Sequence, residues 1–331
     1  MASPLEMPAW YIGTSPSHGV NYQIVRVQRN FMNGVLVVDK PAGLTSHDVV
    51  HRVRRALQQR AVGHVGTLDP MATGVLPLVI GNLTRLAQFY LASEKSYEGV
   101  IRFGFSTDTY DVEGDATSAP QHVGLSLDQV REIASRFQGR LEQMPPPFSA
   151  KKIHGVPAYK LARKHKPIEL RPVQVELKEF DIVGVERDRA IFRARVAPGT
   201  YMRSVAHDMG QALGCGAHLE SLRRTATGEF TLADSHTLDQ IENAAPNGRI
   251  EELFIHPRKL LPQLPAVSAN AEAAACILHG RAVNLPELSQ APLVKVFHGQ
   301  RELIAIVSRI AGTLFHPKIV FAAEAQHLVS R

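Results

Sequence analysis

Residues 63–76 of the chain, Gly-His-Val-Gly-Thr-Leu-Asp-Pro-Met-Ala-Thr-Gly-Val-Leu, most limit what it can fold into. The first twelve of them include four glycines or prolines, so the backbone must turn tightly and cannot continue as helix or strand. Residues 75–80 then form an almost continuous apolar run, which predicts a buried strand. Asp69 is the one carboxylate in this turn. The pattern suits a rigid loop that presents Asp69 beside a buried strand, and it suits equally a turn residue that bonds its own backbone.

The length of 331 residues allows one large domain and a smaller one, and the 44% hydrophobic content is that of a globular protein. No apolar run is long enough to span a bilayer, and the N-terminus lacks a signal-peptide pattern. Two cysteines, Cys215 and Cys276, are too few for a disulfide framework and lack metal-ligand spacing. We therefore expect a cytoplasmic protein without a metal site or membrane segment.

The net charge of +6 favours a polyanionic partner, and its distribution supports this more strongly than its size. Between residues 151 and 171 seven basic side chains face a single acid, Glu169. A second cluster lies between residues 52 and 60. Both clusters predict contacts with phosphates, with a solvated helix face as the alternative. Their members are Lys151, Lys152, Lys160, Arg163, Lys164, Lys166 and Arg171 in the first, and Arg52, Arg54, Arg55 and Arg60 in the second.

Composition divides the chain into three parts. Residues 1–32 are rich in Pro, Ser and Gly without periodicity, which predicts a flexible extension. Residues 33–259 alternate strand-like and helix-like segments, whereas residues 260–331 begin with Pro262 and Pro265 and continue as short apolar runs typical of a small β-rich domain. Strands are predicted over 34–38, 75–80, 95–103, 173–185, 190–196, 293–297, 303–307 and 313–321. Helices are predicted from Ser46, over 84–91, over 126–137, from an opening at residues 199–203 to about 213, and over 271–279.

The segment from Ser106 to Asp115 is acidic and rich in turn residues. Its carboxylates do not fall on the positions of an EF-hand calcium loop, so we expect no calcium there. A hydrolase with paired carboxylates would need a second acid near Asp69. Asp108 and Asp111 are the candidates offered by the sequence, and their surroundings predict a simple turn.

Phosphate-binding, dinucleotide-binding and zinc-deaminase motifs are all absent from the sequence. Asp69 would therefore act covalently or electrostatically. A buried carboxylate stays ionised only with a cation beside it, since desolvation raises its pKa. Arg203, in a second glycine-framed turn with Tyr201, is a candidate for that cation, although the sequence alone does not pair the two positions.

Several ordered motifs together resemble the bacterial TruB family of tRNA pseudouridine synthases. The segment 63–74 is similar to the family signature, and the likeness extends from Asn33 to about Phe230. It departs at Val65, where Thr is common, and at Phe148, where Tyr is frequent. The other matching segments are 34–43, Lys95-Ser96-Tyr97, 146–152, 199–204, 214–219 and Leu222-Arg223-Arg224.

The resemblance implies an α+β fold: a mixed, mostly antiparallel sheet forming the pseudouridine synthase domain over 33–259, and a small PUA-like RNA-binding domain over 260–331. It implies conversion of the T-loop uridine at position 55 of tRNA into pseudouridine on a flipped-out base. No cofactor and no metal are expected. The expected partner is the T-arm of tRNA, with no obligate protein partner and a monomeric enzyme.

The resemblance also implies residue roles. Asp69 is the expected nucleophile, Tyr97 stacks on the target base and is implicated in removing the carbon-5 proton, and Arg203 pairs with the aspartate. His64 is expected to fill the place that extruded bases leave in the T-loop. The expected substrate-binding residues are His64, Tyr201, Lys40, Lys151, Lys152 and Leu222.

Two other functions stay open. One is an RNA-binding or RNA-folding protein with secondary catalytic residues, against which the intact Asp69, Tyr97 and Arg203 argue. The other is the guide-RNA-dependent synthase of archaea and eukaryotes, which needs protein partners and which a larger C-terminal RNA domain would favour.

Overall fold

The computed structural model of the protein describes residues 31–148 and 170–321, together with the backbone of Lys152, Ile153, Val156 and Pro157. The chain divides into two units, Met1–Phe31 and Met32–Arg331. All of the elements described below belong to the second unit.

A ten-stranded mixed sheet forms the larger part of the described chain. Its main path runs β12-β1-β3-β10-β4-β9-β8-β5, with β2 paired to β3 and β11 to β10. Only β1 with β12 and β3 with β10 run parallel among its pairs. The strands are β1 (Gly34–Lys40), β2 (Val62–His64), β3 (Thr73–Ile80), β4 (Lys95–Phe103), β5 (Gly139–Gln143), β8 (Val173–Glu186), β9 (Arg189–Val196), β10 (Ala217–Thr227), β11 (Phe230–Thr231) and β12 (Ser235–His236), while the short β6 (Lys152–Ile153) and β7 (Val156–Pro157) pair with each other.

Four of the six described helices, α1, α3, α4 and α5, pack on one face of this sheet, whereas α2 packs on the other face and α6 on the C-terminal sheet. Helix α1 begins at a capping box in which Thr45 and Asp48 satisfy each other's backbone N–H groups, and its buried face carries Val49, Val50 and Val53. The capping box predicted for Ser126 and Gln129 is present at the start of α3. The helices are α1 (Ser46–Leu57), α2 (Ala87–Tyr90), α3 (Leu127–Ser135), α4 (Met202–Ala212), α5 (Leu238–Ala244) and α6 (Ala271–Leu278).

The C-terminal part contains a second sheet of five strands in the order β13-β15-β16-β17-β14. A shared apolar cluster joins it to the large sheet, because Val75 and Val79 of β3 pack with Phe297, Ile306 and Phe321. The additional strands are β13 (Ala266–Ala269), β14 (Val283–Asn284), β15 (Leu293–His298), β16 (Glu302–Ala311) and β17 (Leu314–Val320).

The α+β class, the mostly antiparallel mixed sheet and the small C-terminal β-rich part are confirmed. The predicted strand over 95–103 has the predicted bounds, and Ile101 and Phe103 are buried on its inner face. The PUA-like nature of the C-terminal part stays a prediction. No helix in the described ranges is long and apolar enough to cross a membrane.

The strands predicted from the sequence do not include β10, which lies between β3 and β4 in the large sheet. Its charged residues and two bulges, at Leu219/Ser221 and Arg224/Ala226, interrupt the alternation of apolar and polar residues by which strands are recognised in a sequence. Arg224 nevertheless points inward and is only 1% exposed.

Gly74 allows β3 and β10 to approach each other beside the Asp69 loop. It pairs with Arg224 in the parallel register and adopts a φ of 97°. A Cβ atom built at Gly74 would lie 2.2 Å from the Arg224 carbonyl oxygen. Because backbone rather than a flexible side chain occupies that space, the position requires glycine.

We expect Gly74→Ala to lower the free energy of unfolding by about 3 kcal/mol or more, from the left-handed backbone strain and the clash combined. Gly184→Ala is the matched control, because Gly184 also lies in a strand and a Cβ there meets nothing within 4 Å. Urea denaturation of both variants measures the difference. Equal stability of the two variants would contradict this account of Gly74.

Candidate active site

Hydrogen bonds from β1, from α1 and from the turn between them hold the loop that carries Asp69. The buried Ser46 hydroxyl accepts a hydrogen bond from the Leu68 backbone N–H at 2.8 Å and donates to the Leu68 carbonyl at 3.1 Å. The Pro70 carbonyl accepts bonds from Lys40 Nζ at 3.1 Å and from the Gly43 N–H at 2.9 Å. The residues on both sides of Asp69 are thereby held in place.

Arg224 holds the other half of the loop. Its Nε donates to the Val75 carbonyl at 2.7 Å, its Nη2 to the Gly66 carbonyl at 3.0 Å and its Nη1 to the Thr67 carbonyl at 3.4 Å. A buried guanidinium with five fixed donors suits this task, since it satisfies carbonyls that the turning backbone cannot pair internally.

Asp69 forms a two-point ion pair with Arg203 at the start of α4. Arg203 Nη2 donates to Asp69 Oδ1 at 3.1 Å, and Arg203 Nε lies 2.9 Å from Asp69 Oδ2. The Arg203 side chain is 5% exposed, whereas that of Asp69 is 34% exposed. The carboxylate is therefore accessible from one side while its cation is shielded. The structure thus brings together the two residues that the sequence left unpaired.

A second carboxylate touches the same guanidinium. Asp111 Oδ2 lies 3.4 Å from Arg203 Nη1, and the Asp111 side chain is 4% exposed. Thr109 Oγ1 and the Glu113 N–H donate to Asp111 Oδ1 at 2.6 and 3.1 Å. The segment is indeed rich in turns, but the prediction that Asp111 serves a simple turn was incomplete. Local residue types could not show that the loop folds back onto α4.

Burial and charge act on Asp69 in opposite directions. Desolvation raises the pKa of Asp69 above its usual value and is the largest influence, while Arg203 lowers it and Asp111 raises it. Lys40 adds a weaker lowering effect on the pKa of Asp69. Because burial lowers the pKa of Lys40 itself to about 8, its charge is present at neutral pH and is lost as the pH rises above 8.

A cavity of about 260 Å³ opens beside this ion pair. Tyr97 from β4, Tyr201 before α4 and Leu222 from β10 line it together with Asp69. Tyr201 is fixed through its backbone, because the buried Gln143 side chain accepts from its N–H at 2.8 Å and donates to its carbonyl at 3.1 Å. The cavity combines aromatic and aliphatic walls with one accessible carboxylate, as a site for a planar base requires.

Two of the predicted substrate-binding residues with described side chains, Lys40 and His64, do not line this cavity. Lys40 is fully buried, and its bonds to the Pro41 and Pro70 carbonyls favour a role in holding the loop. His64 lies at the end of β2 with Nδ1 unpaired, and burial and the charge of Arg224 lower its pKa. Lys151 lies outside the described residues, and only the backbone of Lys152 is described.

The second basic cluster is partly used inside the fold. Arg52 pairs with Glu242, with Nη2 and Oε2 2.6 Å apart, and Arg54 donates to the Val62 carbonyl at 2.8 Å. Arg55 and Arg60 are exposed and available for phosphates. In the first cluster, Arg171 alone has a described side chain. Among the residues that the structure describes, no group of three or more His, Cys, Asp or Glu side chains could hold a metal ion.

The supporting residues Ser46, Asp111, Gln143 and Arg224 were not predicted from the sequence. Each acts through a backbone or guanidinium contact with a segment distant in the chain, which spacing does not reveal. The run Leu222-Arg223-Arg224 was the nearest signal, since two adjacent arginines in a strand must point to opposite faces and one must be buried.

Two family models match the chain side by side. The model of the TruB family pseudouridylate synthase N-terminal domain matches residues 54–202, and that of the tRNA pseudouridylate synthase B C-terminal domain matches 203–261. The tRNA pseudouridine synthase B of Solibacter usitatus (strain Ellin6076) is 48% identical over 292 residues, which cover 87% of this chain and 100% of that protein. The chain belongs to the TruB family of tRNA pseudouridine synthases.

Further relatives agree with this membership. The tRNA pseudouridine synthase B of Geobacter sulfurreducens (strain ATCC 51573 / DSM 12127 / PCA) is 41% identical over 75% of this chain and 82% of that protein. Among solved structures, a Cbf5-Nop10-Gar1 complex has a chain 26% identical to this one, with a TM-score of 0.65 over 89% of this chain and 86% of that chain. The archaeal box H/ACA sRNP Nop10-Cbf5 complex has one that is 25% identical, with a TM-score of 0.63 over 94% and 93%. The chain is an isomerase of the pseudouridine synthase class.

We expect Asp111→Asn to shift the acid limb of the pH–rate profile to lower pH. The Asp111 charge raises the pKa of Asp69, so its removal leaves Asp69 ionised in more acidic solution. The rate at neutral pH should fall about tenfold, since Arg203 loses one of its orienting contacts. Asp108→Asn, at an exposed position of the same loop, is the control. A shift of the limb to higher pH would contradict the proposed coupling.

Proposed function

We propose that this TruB-family chain converts the T-loop uridine at position 55 of tRNA into pseudouridine, with Asp69 as the nucleophile. One observation carries the proposal: the accessible Asp69 carboxylate, paired with the shielded Arg203, lies in the wall of a cavity also lined by Tyr97 and Tyr201. The relatives named tRNA pseudouridine synthase B supply the substrate class.

The reaction needs no oxidant or co-reactant, because substrate and product contain the same atoms. The bond between N1 of uracil and C1′ of ribose breaks, the base turns, and C5 bonds to C1′ while the C5 proton leaves to water and N1 takes up a proton from water. A carboxylate forms a transient ester in such a step and is released unchanged at the end. Attack on the sugar and attack on the base ring both use Asp69 in its ionised form.

Arg203 is proposed to keep Asp69 ionised and correctly oriented. The cost of desolvating the carboxylate is opposed by the guanidinium at two contacts, so a reactive anion persists where water is scarce. Tyr97 is proposed to stack on the flipped base and to assist removal of the C5 proton. Leu222 and Tyr201 would enclose the base from the other walls.

The proposed substrate contacts outside the cavity depend on charge. Extruding a base costs a few kcal/mol of unstacking, which phosphate contacts and stacking must offset. Arg55 and Arg60 are exposed and could make such contacts, and Lys151 and Lys152 stay predicted contacts.

We propose that His64 takes the place of extruded bases within the T-loop and that the C-terminal sheet is a PUA-like module that binds the acceptor side of the tRNA. We further propose a monomeric cytoplasmic enzyme without an obligate protein partner.

The guide-dependent alternative has weaker support than the tRNA-directed one. The chains from H/ACA assemblies share the fold at 25–26% identity, whereas the curated tRNA pseudouridine synthase B relatives reach 48% and 41%. A pure RNA-binding role would leave the Asp69–Arg203 pair and its buried supports without a purpose.

The decisive experiment uses a tRNA transcript with tritium at carbon 5 of uridine. The wild-type chain should release about one tritium per tRNA, since joining C5 to the sugar expels that hydrogen. Asp69→Asn should release none while tRNA affinity stays within about threefold, because the carboxylate acts in the chemical step. Asp115→Asn, an exposed acid of the neighbouring loop, should behave as wild type.

Two outcomes would contradict the proposal. Tight, salt-sensitive binding of tRNA by the wild type without tritium release would leave only a binding or folding function. Loss of tRNA binding in a folded Asp69→Asn variant would assign Asp69 to substrate binding instead of chemistry.

A further inference from the structure

Among the residues that the structure describes, three cations line the cavity beside Asp69, namely Lys95, Arg203 and Arg224. Both arginines are held by several contacts with the protein. Arg203 contacts Asp69 and Asp111 and donates to the Thr109 and Phe148 carbonyls at 3.1 and 2.9 Å. The donors of Arg224 bind the carbonyls of the Asp69 loop. Arg203 has no donor to spare for a ligand, whereas three of the five donors of Arg224 are used by these carbonyls.

Lys95 differs from both arginines in its contacts. It begins β4, two residues before Tyr97, so both side chains project from the same face of the strand into the cavity. Its Nζ donates one described hydrogen bond, to the Ser93 carbonyl at 2.6 Å. An ammonium has three donors, and no carboxylate lies within ion-pair distance of this one in the described ranges.

Keeping the Lys95 ammonium charged at this position costs electrostatic free energy. Burial and, to a smaller extent, the neighbouring charge of Arg224 together lower the pKa of Lys95 to about 8. At neutral pH the side chain is still mostly charged and half-buried, and no carboxylate of the described residues forms an ion pair with it. Entry of an anionic oxygen would supply the missing partner and use the free donors.

We propose that Lys95 is a further substrate-contacting residue, whose ammonium donates to an anionic oxygen of the target nucleotide in the cavity. This oxygen belongs either to a phosphate of that nucleotide or to the uracil, which gains negative charge when its N1–C1′ bond breaks. The inference rests on the proposed function, because it takes a flipped nucleotide as the ligand. It assigns a role to the first residue of the Lys95-Ser96-Tyr97 motif.

The test compares Lys95→Met, which keeps the length of the side chain without its charge, with Lys95→Arg, which keeps the charge. Lys178→Met is the matched control, because Lys178 is a nearby lysine paired with Glu94 at the surface. Thermal unfolding verifies that each variant is folded. Two quantities are measured: tRNA affinity at several salt concentrations, and the single-turnover rate of tritium release at saturating enzyme.

A phosphate contact predicts that Lys95→Met weakens tRNA binding about tenfold and reduces the slope of log K against log salt by about one, with the saturated rate retained. A uracil contact predicts that binding is retained and the saturated rate falls by about tenfold to a hundredfold. In both cases Lys95→Arg should recover most of the loss and Lys178→Met should match wild type.

Lys95→Met within about twofold of wild type in both affinity and saturated rate would overturn the inference. So would a folded Lys95→Arg variant as impaired as Lys95→Met, since a charge contact requires rescue by charge. Failure of the proposed function is distinguishable, because the wild type itself would then release no tritium.

Discussion

The contact between Arg203 and Asp69 is the interaction on which the rest of the site depends. A carboxylate that is partly shielded from water is protonated more readily unless a cation compensates for the lost hydration, and a buried guanidinium needs acceptors for its own donors. Arg203 obtains them from Asp69, Asp111 and the carbonyls of Thr109 and Phe148. These partners lie between 55 and 134 residues away in sequence, so the pair forms only when the whole domain has folded.

The loop carrying Asp69 is rigid for related reasons. Lys40 and Arg224 donate to backbone carbonyls that the tight turn leaves unpaired, and the Ser46 hydroxyl both accepts from the Leu68 N–H and donates to the Leu68 carbonyl. The backbone of the Asp69 loop is thus fixed by buried polar contacts. Leaving any of these buried groups without a hydrogen-bond partner would cost free energy. The departure from the family pattern at Phe148 has a simple consequence here: its contact with Arg203 is made by the backbone carbonyl, which any residue supplies.

The elements with a regular pattern could be predicted from the sequence, and those that depend on distant partners could not. The strand over 95–103 and the capping box of Ser126 and Gln129 are encoded locally, and the loop around Asp69 is marked by its glycines and proline. Strand β10 was missed because charged residues and two bulges interrupt its alternation of apolar and polar residues, and because its inward-facing side chains include an arginine, Arg224. The pairing of Asp69 with Arg203 came only from family resemblance, and Asp111 looked like a turn residue because the fold of its loop onto α4 leaves no local signal.

The central claim is that Arg203 keeps a desolvated Asp69 ionised. The most direct test is a pH titration of the Asp69 side-chain carboxyl by carbon-13 NMR, in the wild type and in a folded Arg203→Gln variant. The account predicts an Asp69 pKa above its usual value in the wild type, because of burial, and a higher one in the variant, because the opposing charge is lost. An Asp69 pKa that is unchanged or lower in the variant would contradict it.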